Sequence, residues 1–286
     1  MDLGSLIWIF VLFQLFVPAI QKQWLVSRRQ LAIRAIERAR GSRVITMIHR
    51  QETMSFLGFP VARYIDIEDS EQILRAIRLT PDDMPIDLVL HTPGGLVLAA
   101  EQIAFALQRR KGPTTVLVPH YAMSGGTLLA LAADHLVLDP NAVLGPVDPQ
   151  IGGAQSSYPA ASIVKALQQP NPNRDDNTLI LGDVAEKALK QVRATVVKIL
   201  RDRMDEAKAT RIADALALGQ WTHDYPLDVA ALRDFGLDVK DELPREVYAL
   251  MELYPQTNQQ RPGVDFIPMP YPPRPAASPT PRKAER

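Results

Sequence analysis

Residues 86–138 read IDLVLHTPGGLVLAAEQIAFALQRRKGPTTVLVPHYAMSGGTLLALAADHLVL. Two apolar runs, Ile86–His91 and Thr115–Pro119, each end in a glycine-containing turn and then feed a helical pattern. Short apolar runs bounded by turn residues read as buried strands. The first turn is His91-Thr92-Pro93-Gly94-Gly95. Gly-Gly after proline lets the backbone fold tightly and leaves N–H groups unshielded. Those groups sit at the start of a helix, where the dipole favours negative charge, so the turn is a natural oxyanion hole. The same residues also make an ordinary strand-to-helix turn. The second turn is His120-Tyr121-Ala122-Met123-Ser124-Gly125-Gly126. Ser124 stands between small neighbours, which follows the logic of a nucleophile elbow without matching G-x-S-x-G. Taken alone, serine in such a turn more often caps a helix than acts as a nucleophile.

Outward from this stretch, Arg43–His49 and His135–Leu138 read as further buried strands. Helices are expected at about Ser70–Leu79, with Asp69 as N-cap, at Leu96–Arg110 and at Met123–Ala133. Strands alternating with helices predict an α/β fold with a parallel sheet covered on both faces. From Leu179 to about Leu218 the pattern is helical, with a break near Asp205–Thr210. Gln220–Val239 then carries WTHDYPL and a short helix leading into Phe235-Gly236-Leu237. No internal repeat is present.

The order strand, P-G-G, helix, strand, A-x-S-G-G, Ala/Leu-rich helix, A-D-x-L-V-L-x-P resembles the Clp/signal-peptide-peptidase group of serine proteases. That group shares the crotonase-like superfold, a repeated β-β-α superhelix with a parallel sheet. LVLHTPGG, YAMSGGTLLALAADHLVLDPNAVLGPVDPQ and WTHDYPL are most similar to the serine dehydrogenase proteinase family, and the resemblance runs from about Arg43 to Lys240. It implies Ser124 as nucleophile and an oxyanion hole made by the N–H of Gly125 with one from Gly94 or Gly95.

The resemblance leaves the base to be assigned. Clp subunits place a histidine on the loop after the next strand, but here that loop is Ala142-Val143-Leu144-Gly145-Pro146-Val147-Asp148 and has none. The signal-peptide-peptidase branch uses a Ser-Lys dyad. The membrane-anchored stomatin-directed proteases carry its lysine about forty residues beyond the serine, and Lys165 lies 41 residues beyond Ser124. Flanked by Ile163, Val164, Ala166 and Leu167, Lys165 would be desolvated in an apolar pocket and able to accept the serine proton. A solvated lysine on an amphipathic helix is the competing reading. Asp148 and Ser162 are candidates to orient the lysine. Lys187 and Lys190 read as solvated, and His135 as a strand-start residue. His91 borders the first turn, and His120 precedes the second. His223 and Asp224 reach the site only if the chain folds back.

Both ends of the chain differ from the middle. Leu3–Ile20 carries no charge. As a helix it spans about 27 Å, enough for the hydrocarbon core of a bilayer. Met1-Asp2 is not the basic start of a signal peptide. Lys22, Arg28, Arg29, Arg34, Arg38, Arg40 and Arg43 follow, against Glu37 alone, so this side is expected to be cytoplasmic. Trp8 and Trp24 fall near the ends of the span, as interfacial anchors do. From Tyr254 the chain is proline-dense and reads as a disordered tail.

Composition closes off other classes. Lys+Arg and Asp+Glu are both 32, so the chain lacks the cationic excess of a nucleic-acid binder. There is no cysteine, which excludes thiolate chemistry and disulfides. No zinc or phosphate-loop motif occurs, and no metal or cofactor is expected. At 286 residues the chain allows one domain of about 200 residues plus appendages. The expected organisation is an anchor at 1–21, a basic juxtamembrane helix at 22–42, a Clp/crotonase-like protease domain at 43–253 and a tail at 254–286. The expected protein is a single-pass membrane serine endopeptidase, homo-oligomeric by resemblance, acting on peptides or membrane proteins. A crotonase-like acyl-CoA enzyme and a non-catalytic membrane scaffold are the alternatives.

Overall fold

The computed structural model describes residues 3–50, 64–153 and 156–254, with backbone alone for residues 3–16, 18, 19, 153 and 156. Five strands form one sheet in the order β1 (Arg43–Ile48), β2 (Ile86–His91), β3 (Thr114–Val118), β5 (His135–Leu138) and β9 (Val239–Lys240). Every neighbouring pair is parallel. The sheet is apolar on both faces because successive residues point to opposite sides. Leu88, Leu90, Val116, Val118, Leu136 and Leu138 enter one core. Its helices are α2 (Ile67–Arg78), α3 (Val97–Gln108), α4 (Gly125–Ala132), α6 (Asp176–Leu200) and α7 (Glu206–Ala217). The alternate residues Val44, Val89, Leu117 and Val137 enter a second core. There they meet Ile36 of α1 (Leu3–Arg40), and Val247 and Leu250 of α9 (Arg245–Glu252). This two-sided burial is what continuous apolar strands predict.

The end of α1 is fixed to the sheet. Arg40 grips the buried Asp87 with Nε at 2.5 Å and Nη2 at 3.0 Å, and the Ser42 hydroxyl adds a bond of 2.6 Å. The carboxylate holds the Arg40 pKa above its ordinary value, against the opposing effect of burial. Among the described residues no helix is long and apolar enough to cross a membrane. The side chains on which the expected span rests, residues 3–16, 18 and 19, lie outside the described ones, as does the proline-rich segment 255–286.

Two boundaries differ from expectation. Helix α2 starts at Ile67, and Asp66 is its N-cap. Asp66 accepts from the Asp69 N–H at 2.9 Å while Asp69 accepts from the Asp66 N–H at 3.0 Å, so Asp69 is the far corner of a capping box. The long helical region breaks at 201–205, with Asp205 capping α7.

Five short strands were not expected. In a second ladder, β4 (Tyr121–Ala122) pairs with β6 (Val143–Leu144), Thr92 bridges Ala122, and Leu144 bridges Leu227. Strands β7 (Gln150–Gly153) and β8 (Ser156–Pro159) form a hairpin leading into α5 (Ala160–Leu167). The short helix α8 (Val229–Asp234) precedes β9. Segments of two to four residues are too short to show a period.

Candidate active site

The two glycine turns leave the carboxyl ends of the adjacent strands β2 and β3 and press against each other. Ser124 has φ +51° and ψ −114°, and no other non-glycine among the described residues has positive φ. Such a backbone costs about 1–3 kcal/mol and persists only where its surroundings fix it. They do so here. Met123 N–H donates to Thr92 O at 2.9 Å, and Thr127 N–H donates to Ser124 O at 2.9 Å. The buried Thr127 hydroxyl bonds Ala122 O at 3.0 Å and Gly145 O at 2.8 Å.

Gly94 has φ +103°, and a Cβ there would lie 2.6 Å from the Ser124 Cβ. Only glycine lets the first turn approach Ser124 so closely. Ile65 straps this turn from outside, donating to Gly94 O at 2.7 Å and accepting from Leu96 N–H at 2.8 Å. The Gly94 N–H is already spent on Thr92 Oγ1 at 3.2 Å. Among the described residues, the N–H groups of Gly95 and Gly125 have no acceptor. They are the donors available to a developing oxyanion.

Ser124 and Gly95 line a cleft of about 1200 Å³ that is also lined by Asp148, Gln150 and His223. Asp148 is 1 % exposed and follows β6. Its Oδ1 pairs with His223 Nδ1 at 2.8 Å, and its Oδ2 accepts from Gln150 Nε2 at 2.7 Å. The His223 loop folds back because Leu227 and Leu144 exchange backbone bonds of 2.9 and 3.0 Å, while Trp221 stacks on Tyr225 at 5.3 Å. A buried carboxylate at Nδ1 selects the tautomer with a proton there, and Nε2 is left as an acceptor. No hydrogen bond joins Ser124 Oγ to His223 among the described residues. Without substrate such contacts are commonly loose and tighten on binding.

Lys165 is not brought to this cleft. Among the described residues, Lys165 is exposed on α5 rather than set in the expected apolar pocket, and it is not one of those lining the cleft. Ala160, Ile163, Val164 and Leu167 form the inward stripe of α5, with Leu167 packed on Gly182, and Lys165 falls between stripe positions. Lys187 and Lys190 are exposed and pair with Asp183 and Glu186 on their own helix.

The remaining histidines lie elsewhere. His135 opens β5 and is exposed. His91 is buried against Tyr121 at 4.3 Å and His120 at 5.7 Å, and among the described residues neither of its ring nitrogens has a partner. Burial first, then the charges of Arg50, His120 and His49, lower its pKa to about 3. Among the described residues no three acidic or histidine side chains converge to hold a metal ion. The pairing of His223 with Asp148, and the support from Gln150, were not anticipated. The only signal in the sequence was polar residues set in tight turns, at THDYP and GPVDPQ.

A serine set between glycine turns at the carboxyl edge of a parallel sheet, beside backbone N–H groups without acceptors, is an arrangement suited to serine-hydrolase chemistry. The chain belongs to the ClpP-like SDH-type serine proteinases, whose family model matches residues 1–279, and it is a serine-type peptidase of that family. Two Methanocaldococcus jannaschii proteins are each 54% identical to it. Uncharacterized protein MJ1495 aligns over 95% of this chain and 91% of its own, and uncharacterized protein MJ0137 over 94% and 93%. Among solved structures, two variants of the 1510-N membrane-bound stomatin-specific protease overlap 66% of this chain with TM-score 0.45. One, a serine-to-alanine variant, is 20% identical and covered over 79% of its length. The other, a lysine-to-alanine variant in complex with a substrate peptide, is 21% identical and covered over 74%.

Proposed function

We propose that the protein is a membrane-anchored serine endopeptidase in which Ser124 is the nucleophile, His223 the general base and Asp148 the residue that orients it. The observation that carries this reading is the His223–Asp148 hydrogen bond in the cleft that Ser124 lines. His223 Nε2 takes the hydroxyl proton as Ser124 Oγ attacks the scissile carbonyl. The N–H groups of Gly95 and Gly125 stabilise the resulting oxyanion. The imidazolium, stabilised by Asp148, returns the proton to the leaving amine. Water then attacks the acyl-enzyme with His223 again as base. Lys165 takes no part in this scheme.

The bilayer is proposed as the partner of Leu3–Ile20, which carries no charge and is followed by a basic flank. That flank supports a cytoplasmic catalytic domain, with peptides or cytoplasmic segments of membrane proteins as substrates. A homo-oligomer is the proposed assembly.

The test is a mixed peptide library incubated with the full chain in detergent, beside Ser124→Ala, His223→Ala and Lys165→Ala, with products read by mass spectrometry. Cleavage is expected from the wild type and Lys165→Ala and lost in the other two. Loss in Lys165→Ala with retention in His223→Ala would reinstate the Ser-Lys dyad. Activity surviving Ser124→Ala would remove Ser124 as nucleophile.

A further inference from the structure

The mechanism does not use His49. This histidine follows β1, is 5 % exposed, and sits behind the oxyanion turn rather than in the cleft. Its backbone N–H bonds His91 O at 2.7 Å, so its position is fixed by the sheet. Its ring joins two elements. Nε2 lies 3.2 Å from Asp69 Oδ2 in the first turn of α2, and Nδ1 lies 3.0 Å from the hydroxyl of Thr92. We propose that His49, held by Asp69, is a positioning residue for the oxyanion hole and acts through Thr92.

Thr92 is the part that both glycine turns share. Its carbonyl accepts from Met123 N–H at 2.9 Å, and its methyl lies against Gly126, where a Cβ would come within 2.6 Å of it. Those contacts hold the Ser124 turn. Its hydroxyl oxygen accepts from Gly94 N–H at 3.2 Å and so holds the other turn. One side chain therefore sets the distance between the two halves of the oxyanion hole, provided its rotamer is fixed.

The hydroxyl has a single proton and two places to send it. Gly94 O is 3.5 Å away and His49 Nδ1 is 3.0 Å away. The shorter bond prevails when Nδ1 is an acceptor, and it is one when Nε2 carries the proton. Asp69 favours that tautomer by accepting from Nε2–H. The chain then runs from Gly94 N–H to Thr92 Oγ1, from Thr92 O–H to His49 Nδ1, and from His49 Nε2–H to Asp69. Every member is satisfied. Remove His49 and the Thr92 hydroxyl can donate only through the long bond to Gly94 O, so the bond that fixes its rotamer is lost and the side chain can turn away from the Gly94 N–H.

This inference rests on Ser124 being the nucleophile, and the test separates the two. The full chain in detergent is labelled with an alkyl fluorophosphonate, whose phosphoryl oxygen needs the oxyanion hole when Ser124 displaces fluoride. Maximal labelling rate and half-saturating concentration are measured for wild type, Thr92→Val, His49→Phe, His49→Asn and His49→Gln. Melting temperatures are recorded alongside. Thr92→Val and His49→Phe should each slow maximal labelling about 10–100-fold with half-saturation unchanged. The double variant should be no slower than either, because both act on one hydroxyl. His49→Asn, whose amide oxygen can stand where Nδ1 stood, should recover most of the rate. His49→Gln, which reaches towards Asp69 instead, should not.

Normal labelling of His49→Phe overturns the positioning role and leaves the nucleophile intact. A slowed His49→Phe whose melting temperature also falls, with no recovery in His49→Asn, makes His49 structural and also overturns it. Failure of wild-type Ser124 to take the label overturns the nucleophile assignment and this inference with it.

Discussion

His223 and Asp148 meet at 2.8 Å across 75 residues of sequence, and the aspartate is almost completely buried while the histidine reaches the cleft. In the proposed mechanism the carboxylate fixes the imidazole's tautomer and stabilises the imidazolium. Asp148→Asn should keep the fold and lower kcat about 10³–10⁴-fold, because an amide there no longer selects the right tautomer. Peptide hydrolysis together with near-ultraviolet circular dichroism checks both halves. Gln150→Ala, which frees only Oδ2, should have a much smaller effect.

Ser124 stores backbone strain that glycine would not feel. Ser124→Gly should abolish hydrolysis and raise stability by about 1 kcal/mol, measured by denaturant unfolding. Ser124→Ala should also abolish hydrolysis but leave stability close to wild type, since alanine keeps the Cβ. Equal stability of the two variants would mean that φ +51° is not strained in this turn.

Two positive-φ glycines separate backbone strain from crowding. Gly41, at φ +64°, has open space around it, so Gly41→Ala should cost only about 1–2 kcal/mol and leave activity unchanged. Gly94→Ala adds a clash with Ser124 Cβ and with Met123 O. It should cost more than Gly41→Ala and eliminate fluorophosphonate labelling, because the two turns must separate.

His91 predicts an acid limb of stability. Burial pushes its pKa in the fold down to about 3, below its ordinary value of 6.5, so the neutral ring is favoured in the fold. Its contribution is complete above pH 6.5 and is lost as the pH falls towards 3, because only the unfolded chain takes the proton in that window. At pH 5 the loss amounts to about 2 kcal/mol. His91→Phe should flatten the fall in melting temperature between pH 7 and pH 5. It should not destabilise at pH 7, since among the described residues neither ring nitrogen has a partner to lose.

The sheet and both glycine turns were legible because their signals are local. Ile86–His91 and Thr114–Val118 are buried along their whole length, so apolar runs mark them, and the turn residues follow directly. The pairing of His223 with Asp148 was not legible. His223 joins Asp148 through the Leu144–Leu227 bridge, a tertiary contact with no periodicity and no fixed spacing. Spacing to Ser124 points to Lys165, but spacing does not give the face of α5 on which a residue falls, and the structure places Lys165 on an exposed one. Asp69 shows the same limit at short range. Two acids three residues apart can each cap a helix start, and only the structure shows which one precedes the first turn.

The junction of α1 with the sheet sets a direction. Glu37 bonds Val44 N–H at 3.2 Å, while the earlier Arg29 lies over Tyr254, whose hydroxyl is 3.4 Å from the Thr46 hydroxyl. Later positions on β1 thus face earlier positions on α1, and the two run antiparallel. The amino-terminal end of α1 points the same way as the carboxyl ends of the strands, which is the edge that carries Ser124. With Leu3–Ile20 in the bilayer, as proposed, the cleft opens towards the lipid headgroups rather than into the bulk. Among the described residues, Arg29 is the first on α1 to hydrogen-bond the domain, at Leu253 O, so the eight residues 21–28 span about 12 Å before that tie. An extended substrate strand crosses that gap in about four residues. The peptidase would then read the stretch of a neighbouring protein just as it leaves the membrane.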